Sequence, residues 1–136
     1  SGKIEDIEKF TTELNKSKIK YVKLPVSAPF HCPLMSPAKI IMNKELNQTK
    51  FSIPNNMIVS NVTAEPSKDP ESIRNLLIEQ IEKPVRWRES IINMINLGSK
   101  KFIEIGPGKV LSGLVKRIDR NVELIQVNNI DDLKNI

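Results

Sequence analysis

The sequence is poor in the residues that build metal sites and disulfides. In 136 residues there is one cysteine and one histidine. One cysteine forms no internal disulfide and no cysteine-built zinc site. One histidine excludes a metal centre made from a histidine cluster. Aromatic residues are scarce, at 4% of the chain, which leaves little surface for stacking on bases. No apolar run approaches the ~18 residues that a membrane helix needs. The opening residues, SGKIEDIEKF, lack the apolar stretch of a signal peptide. The expectation is a reducing, aqueous compartment, with no metal and no membrane partner.

What is present suits a globular fold. Apolar residues make up 39% and charged residues 27%, a balance that disordered chains do not have. The length suggests a single domain, able to bury roughly two thirds of its surface. The net charge is +5, which favours acidic partners. The cations are scattered, however. The densest groups are Lys100–Lys101 and Lys109 with Lys116, Arg117 and Arg120. Scattered charge and few aromatics argue against nucleic-acid binding.

Helix and strand patterns alternate along the chain. Ile4, Ile7, Thr11 and Leu14 share a helical face, so residues 4–14 read as an amphipathic helix. IKYVKLPV, residues 19–26, reads as a strand ending near Pro25. SAPFHCPLM, residues 27–35, is a proline-bracketed loop. Ser36 and Pro37 have the form of an N-cap and first helical position, for a helix to about Leu46. Residues 57–62 read as a short buried strand. Asp69–Pro70–Glu71 opens a helix carrying Ile73, Leu76, Leu77 and Ile81, which Pro84 breaks. Trp87, Ile91, Met94 and Ile95 mark another helix, stopping at Gly98. Residues 101–105 and 122–127 read as strands flanking a helix over 110–118, and 130–136 as the start of a last helix. This order predicts an α/β fold with a mainly parallel sheet.

Few residues carry obvious chemistry. His31 lies in a loop directly after the strand pattern of 19–26, a common position for active-site groups in α/β folds. The competing reading is a structural histidine. Cys32 invites a Cys–His dyad, but neighbours in extended backbone point in opposite directions. A small, buried cysteine is the better expectation. Gly106-Pro-Gly108 could present a helix N-terminus to a phosphate, or serve as a tight turn. Asp131–Asp132 reads as a helix N-terminus or solvated surface. No serine lies in a strand–Gly-x-Ser-x-Gly–helix context, so a nucleophile for His31 is not evident.

Four ordered segments carry a resemblance. Leu24-Pro-Val-Ser-Ala-Pro-Phe-His-Cys-Pro-Leu-Met35 resembles the histidine segment of the malonyl-CoA:acyl carrier protein transacylases of bacterial fatty-acid synthesis. Ile58-Val-Ser-Asn-Val62, Glu79-Gln-Ile-Glu-Lys-Pro-Val-Arg-Trp87 and Phe102-Ile-Glu-Ile-Gly-Pro-Gly-Lys-Val-Leu-Ser-Gly-Leu114 are similar to further family segments in the same order. Order and spacing over about 24–127 make the match specific.

The resemblance implies the C-terminal portion of such an enzyme. Its fold would be part of an α/β-hydrolase-like domain, residues 27–136, preceded by the last helix and strand of an inserted ferredoxin-like subdomain, residues 1–26. His31 would be the general base, oriented by the backbone carbonyl of Gln80. By its own pattern Gln80 is only a polar helix residue. Phe30 would limit bulk at the substrate. Lys109, Lys116, Arg117 and Arg120 would steer acyl carrier protein and coenzyme A, both acidic; a solvated helix face is the alternative. Malonyl-CoA and the phosphopantetheine of the carrier protein would be substrates, with no resident cofactor, in the cytoplasm or, in a eukaryote, the plastid stroma. The nucleophilic serine, the malonyl-binding arginine and the oxyanion-hole amides would lie outside this chain. The expectations are no transfer activity alone, and either self-association or pairing with the missing part. The competing function is a non-catalytic α/β interaction module.

Overall fold

The computed structural model describes residues 1–135. They group into two compact units, where the length had suggested one. The first comprises Ser1–Val62 and Pro66–Val85. The second comprises Thr63–Glu65 and the described residues from Arg86 onward.

The first unit is mainly helical. Helix α1 (Ile4–Lys16) has Glu5 and Asp6 in its first turn and Lys16 in its last, charges that complement the helix dipole. A 3-10 turn, Pro33–Met35, runs directly into α2 (Ser36–Gln48). The expected cap is therefore displaced. Met35 holds the N-cap position, and Ser36 is already helical at φ −49° and ψ −41°. Strand β1 (Ile58–Val59) pairs antiparallel with β2 (Pro66–Ser67). Helix α3 (Pro70–Gln80) begins as the sequence implies: the Asp69 carboxylate accepts the Ser72 amide at 2.7 Å, with Pro70 at the first helical position. Ile73 and Ile78 of α3 are its buried apolar residues. The Arg74 guanidinium lies over the Phe51 ring, 5.2 Å from its centroid, a cation–π contact.

Two strand expectations fail in this unit. Residues 19–26 form no strand. Their β-branched and aromatic residues suit a pleated surface, but a strand exists only against a partner, and none of the described residues pairs with them. Val22 is left 84% exposed. Residues 57–62 contribute only β1, where Ile58 is exposed and Val59 half-buried, and not the buried strand expected.

The second unit is built on a β–α–β element. Helix α4 (Trp87–Asn96) ends on Gly98, at φ +100°. Gly98 N–H donates to Ile95 O and Ser99 N–H to Met94 O, at 2.9 and 3.0 Å, the paired bonds of a Schellman C-cap. Strand β3 (Lys101–Ile105) lies parallel to β4 (Glu123–Val127), in register from Lys101↔Glu123 to Ile105↔Val127. Helix α5 (Val110–Ile118) makes the crossover that a parallel pair requires. Ile91, Val115 and Val127 are buried with Ala64. Arg86 donates to Thr63 O and Asn93 to Ala64 O, at 2.8 and 2.9 Å, fixing residues 63–65 onto this unit. The last expected helix is a 3-10 turn, Ile130–Asn135, at whose start the Asn129 side-chain oxygen accepts the Asp131 amide and the Asp132 carboxylate accepts the Asn128 amide; Ile136 lies outside the described residues.

The α/β expectation thus holds for the element types and for one parallel pair. The observed sheets are that pair, with five paired positions, and an antiparallel pair with two, so the longer pairing among the described residues is the parallel one. No helix among them is long and apolar enough to cross a membrane.

Candidate active site

His31 has a positive φ, +60°. A non-glycine residue in this region is uncommon and costs free energy unless its surroundings hold it there. Here Pro29 and Pro33 flank it, and the 3-10 turn follows two residues later. The backbone reversal directs the imidazole onto the C-terminal end of α3. Nδ1 of His31 lies 3.0 Å from the carbonyl oxygen of Gln80.

The chemistry of that oxygen fixes the ring's tautomer. A carbonyl only accepts, so the proton is on Nδ1, and Nε2 of the neutral ring is left with its lone pair free. The Gln80 side-chain nitrogen lies 3.4 Å from the same Nδ1. It cannot donate to a nitrogen that already carries hydrogen. Its bond goes to Lys83 O, at 3.3 Å.

Local sequence explains why the Gln80 carbonyl is free. In a continuing helix it would accept the N–H of residue 84. Residue 84 is proline, which has none. The amides of Glu82 and Lys83 instead turn back to Glu79 O, at 3.1 and 3.0 Å. An orphan carbonyl at a helix end finds a partner elsewhere, and His31 is that partner.

Cys32 takes no part in a dyad. Its thiol donates to Pro29 O at 3.1 Å, and the residue is half-buried. Phe30 is 47% exposed beside His31 in sequence. A recess next to Gln80 is lined by Ile58, Ser60, Asn61, Leu76 and Leu77. Two of the sequence segments singled out above, 58–62 and 79–87, therefore meet there.

The other expected residues belong to the second unit. Lys109, Lys116, Arg117 and Arg120 surround α5, all exposed, and none forms an ion pair among the described residues. Lys116 and Arg117 occupy the last turn of α5. At the opposite end, the Glu104 carboxylate accepts the amides of Leu111 and Ser112 at 3.0 and 2.8 Å, and the Ser112 hydroxyl at 2.6 Å. Those bonds, the Ser112 hydroxyl foremost, hold the Glu104 carboxyl below its ordinary value. This carboxylate fills the place a phosphate would take, which overturns the anion-site reading of Gly106-Pro-Gly108. The segment is a turn, with φ of +134° at Gly106 and +99° at Gly108. The sequence reading missed Glu104, since nothing in a β-strand pattern marks an outward carboxylate as a helix cap.

No family model matches the chain. A malonyl CoA-acyl carrier protein transacylase of Bacillus subtilis is 40% identical over 131 residues, which is 95% of this chain and 41% of that protein. The crystal structure of a malonyl CoA-acyl carrier protein transacylase from Clostridium perfringens superposes with a TM-score of 0.85 at 40% identity, over 95% of this chain and 41% of that one. A malonyl-transacylase solved in complex with its type II PKS acyl-carrier protein superposes with a TM-score of 0.88 at 34% identity, over 98% of this chain and 44% of that one. The chain thus spans about two fifths of the relatives it matches. Over that span, its sequence and its fold are those of the malonyl CoA-acyl carrier protein transacylase family, to which it belongs.

Proposed function

We propose that this chain is the C-terminal portion of an enzyme that moves malonyl from coenzyme A to the phosphopantetheine thiol of acyl carrier protein, and that it supplies the general base. The observation that carries this reading is the 3.0 Å approach of His31 Nδ1 to the Gln80 carbonyl. In this reading residues 27–136 belong to the large, hydrolase-like domain and 1–26 end the small ferredoxin-like one.

The Nδ1–H stays hydrogen-bonded to the Gln80 carbonyl throughout, while Nε2 does the acid–base work. Nε2 takes the proton of a serine hydroxyl supplied by the rest of the enzyme. The serine oxygen attacks the malonyl thioester, and the departing coenzyme A thiolate receives the proton back. The carrier-protein thiol then gives its proton to Nε2 and attacks the malonyl ester, and the serine oxygen leaves with that proton. No cofactor enters the balance. A carbonyl orients the ring as a carboxylate does in Ser-His-Asp hydrolases, without adding a second negative charge near the malonyl carboxylate.

Phe30 restricts space beside the acyl group. Lys109, Lys116, Arg117 and Arg120 attract the acidic substrates. The setting is the cytoplasm, with no nucleic-acid or membrane partner. Alone, the chain lacks a nucleophile and is inactive. Its unpaired segment 19–26 and exposed apolar residues such as Ile105 favour self-association or pairing with the missing part, read by light scattering as a mass above the monomer.

The test is malonyl transfer by the full-length protein, wild type against His31→Ala. Loss of general-base catalysis lowers the rate about 10²–10⁴-fold. A near-normal rate in the variant contradicts the proposal.

A further inference from the structure

The His31–Gln80 approach joins two segments 49 residues apart. A single exposed hydrogen bond does not hold such segments in register, so other contacts must set the distance. The structure supplies one pair of them on a single side chain. Glu82 lies two residues beyond Gln80. One of its carboxylate oxygens accepts the Ser36 hydroxyl, and the other accepts Lys39 Nζ at 2.7 Å. Ser36 and Lys39 lie in the first turn of α2, directly after the 3-10 turn that follows His31.

We propose that Glu82 is a positioning residue: by clasping Ser36 and Lys39 it sets the distance and angle at which the Gln80 carbonyl meets the His31 ring. This rests on the reading of His31 as general base.

Four features support a mechanical role. The pair is partly withdrawn from solvent, with the Lys39 and Glu82 side chains 31% and 18% exposed, so it is less screened than a surface ion pair. Both carboxylate oxygens are used, which fixes orientation as well as distance. The hydrogen bonds from Lys39 and then Ser36 hold the Glu82 carboxyl below its ordinary 4.5, so it stays charged at neutral pH. The linkage from Ser36 back to His31 is also short and stiff. It contains Pro33, and the Met35 amide bonds to Cys32 O at 3.0 Å. Displacing the start of α2 therefore displaces His31. Small displacements matter, because an error of about 1 Å in a catalytic group can cost roughly 10²-fold in rate.

The experiment compares Glu82→Ala, Glu82→Gln and Ser36→Ala/Lys39→Met with wild type and His31→Ala in the full-length protein. It reads kcat, KM for malonyl-CoA, and the ¹⁵N signals of the His31 ring, which report its tautomer. Glu82→Ala and the double variant should each lower kcat roughly tenfold to a hundredfold, leave KM unchanged, and reduce the Nδ1–H tautomer. Glu82→Gln keeps the side-chain volume and an acceptor for Ser36, and should fall between them and wild type. Combining Glu82→Ala with the double variant should add no further loss, because all break one clasp. If His31→Ala is inactive but the Glu82 variants keep both kcat and tautomer, the clasp is overturned and the general-base reading stands. If His31→Ala stays active, the general-base reading fails. The tautomer signal alone then decides the clasp: an unchanged signal in Glu82→Ala overturns it.

Discussion

Gln80 offers His31 a carbonyl oxygen 3.0 Å from Nδ1, at a helix end where the regular donor is missing because residue 84 is Pro84. The contact is made by backbone on one side. Changing the Gln80 side chain should therefore cost little, and Gln80→Ala should retain most of the malonyl-transfer rate. Pro84→Ala should lower it, because an alanine N–H can compete for the Gln80 carbonyl and extend α3. Steady-state rates of the two variants check this. A severe loss in Gln80→Ala with none in Pro84→Ala would reverse the assignment of side chain and backbone.

How much of this was legible beforehand differs by element. The helix starting at Asp69 was readable, because its cap and its proline are local signals and the structure uses both. So was the stop at Gly98. The cap at Ser36 was misread, since nothing in Ser-Pro reveals that a 3-10 turn precedes it and that Glu82, 46 residues away, claims its hydroxyl. The strand expected over 19–26 failed because strand residues describe a surface awaiting a partner, and pairing is not a local property. His31 stood out by its loop. Its approach to Gln80 was accessible only through the family resemblance, although Pro84 marked in plain sequence which carbonyl lacked a donor.

Phe30 carries a prediction about specificity. Replacing it by alanine in the full-length protein should improve kcat/KM for methylmalonyl-CoA relative to malonyl-CoA. One methyl group is worth about 1–3 kcal/mol in such a pocket. Competition between the two thioesters measures the ratio, and an unchanged ratio removes Phe30 from the substrate's surroundings.

The cations around α5 predict a salt-dependent effect. Reversing Lys116 and Arg117 to glutamate should raise KM for the carrier protein, more strongly at low ionic strength, where exposed charges are least screened. Part of any change in stability comes from their position at the C-terminal end of α5. For this reason KM is the quantity to read. A KM that does not move assigns Lys116 and Arg117 to a solvated helix face.

Glu104 predicts how the second unit responds to acid. Its carboxyl is held below the ordinary 4.5 by bonds from Ser112 and the first turn of α5. A lowered folded value means that the charged form stabilises the fold. That contribution is complete above 4.5, and it is lost as pH falls through the lower folded value. Glu104→Gln should thus lower the thermal midpoint at neutral pH, and the gap to wild type should close as the pH falls below 4.5 and through the lower folded value. Thermal unfolding followed across this range checks the sign; a gap that widens with acid contradicts it.

The account rests on which ring nitrogen of His31 carries the proton. The most direct measurement is the ¹⁵N spectrum of the neutral His31 ring in the full-length protein, with the signals assigned by their loss in His31→Gln. The account predicts the proton on Nδ1, held by the Gln80 carbonyl, with Nε2 bare and ready to accept. A ring protonated on Nε2 would contradict it, since that nitrogen could not then take a proton from a nucleophile.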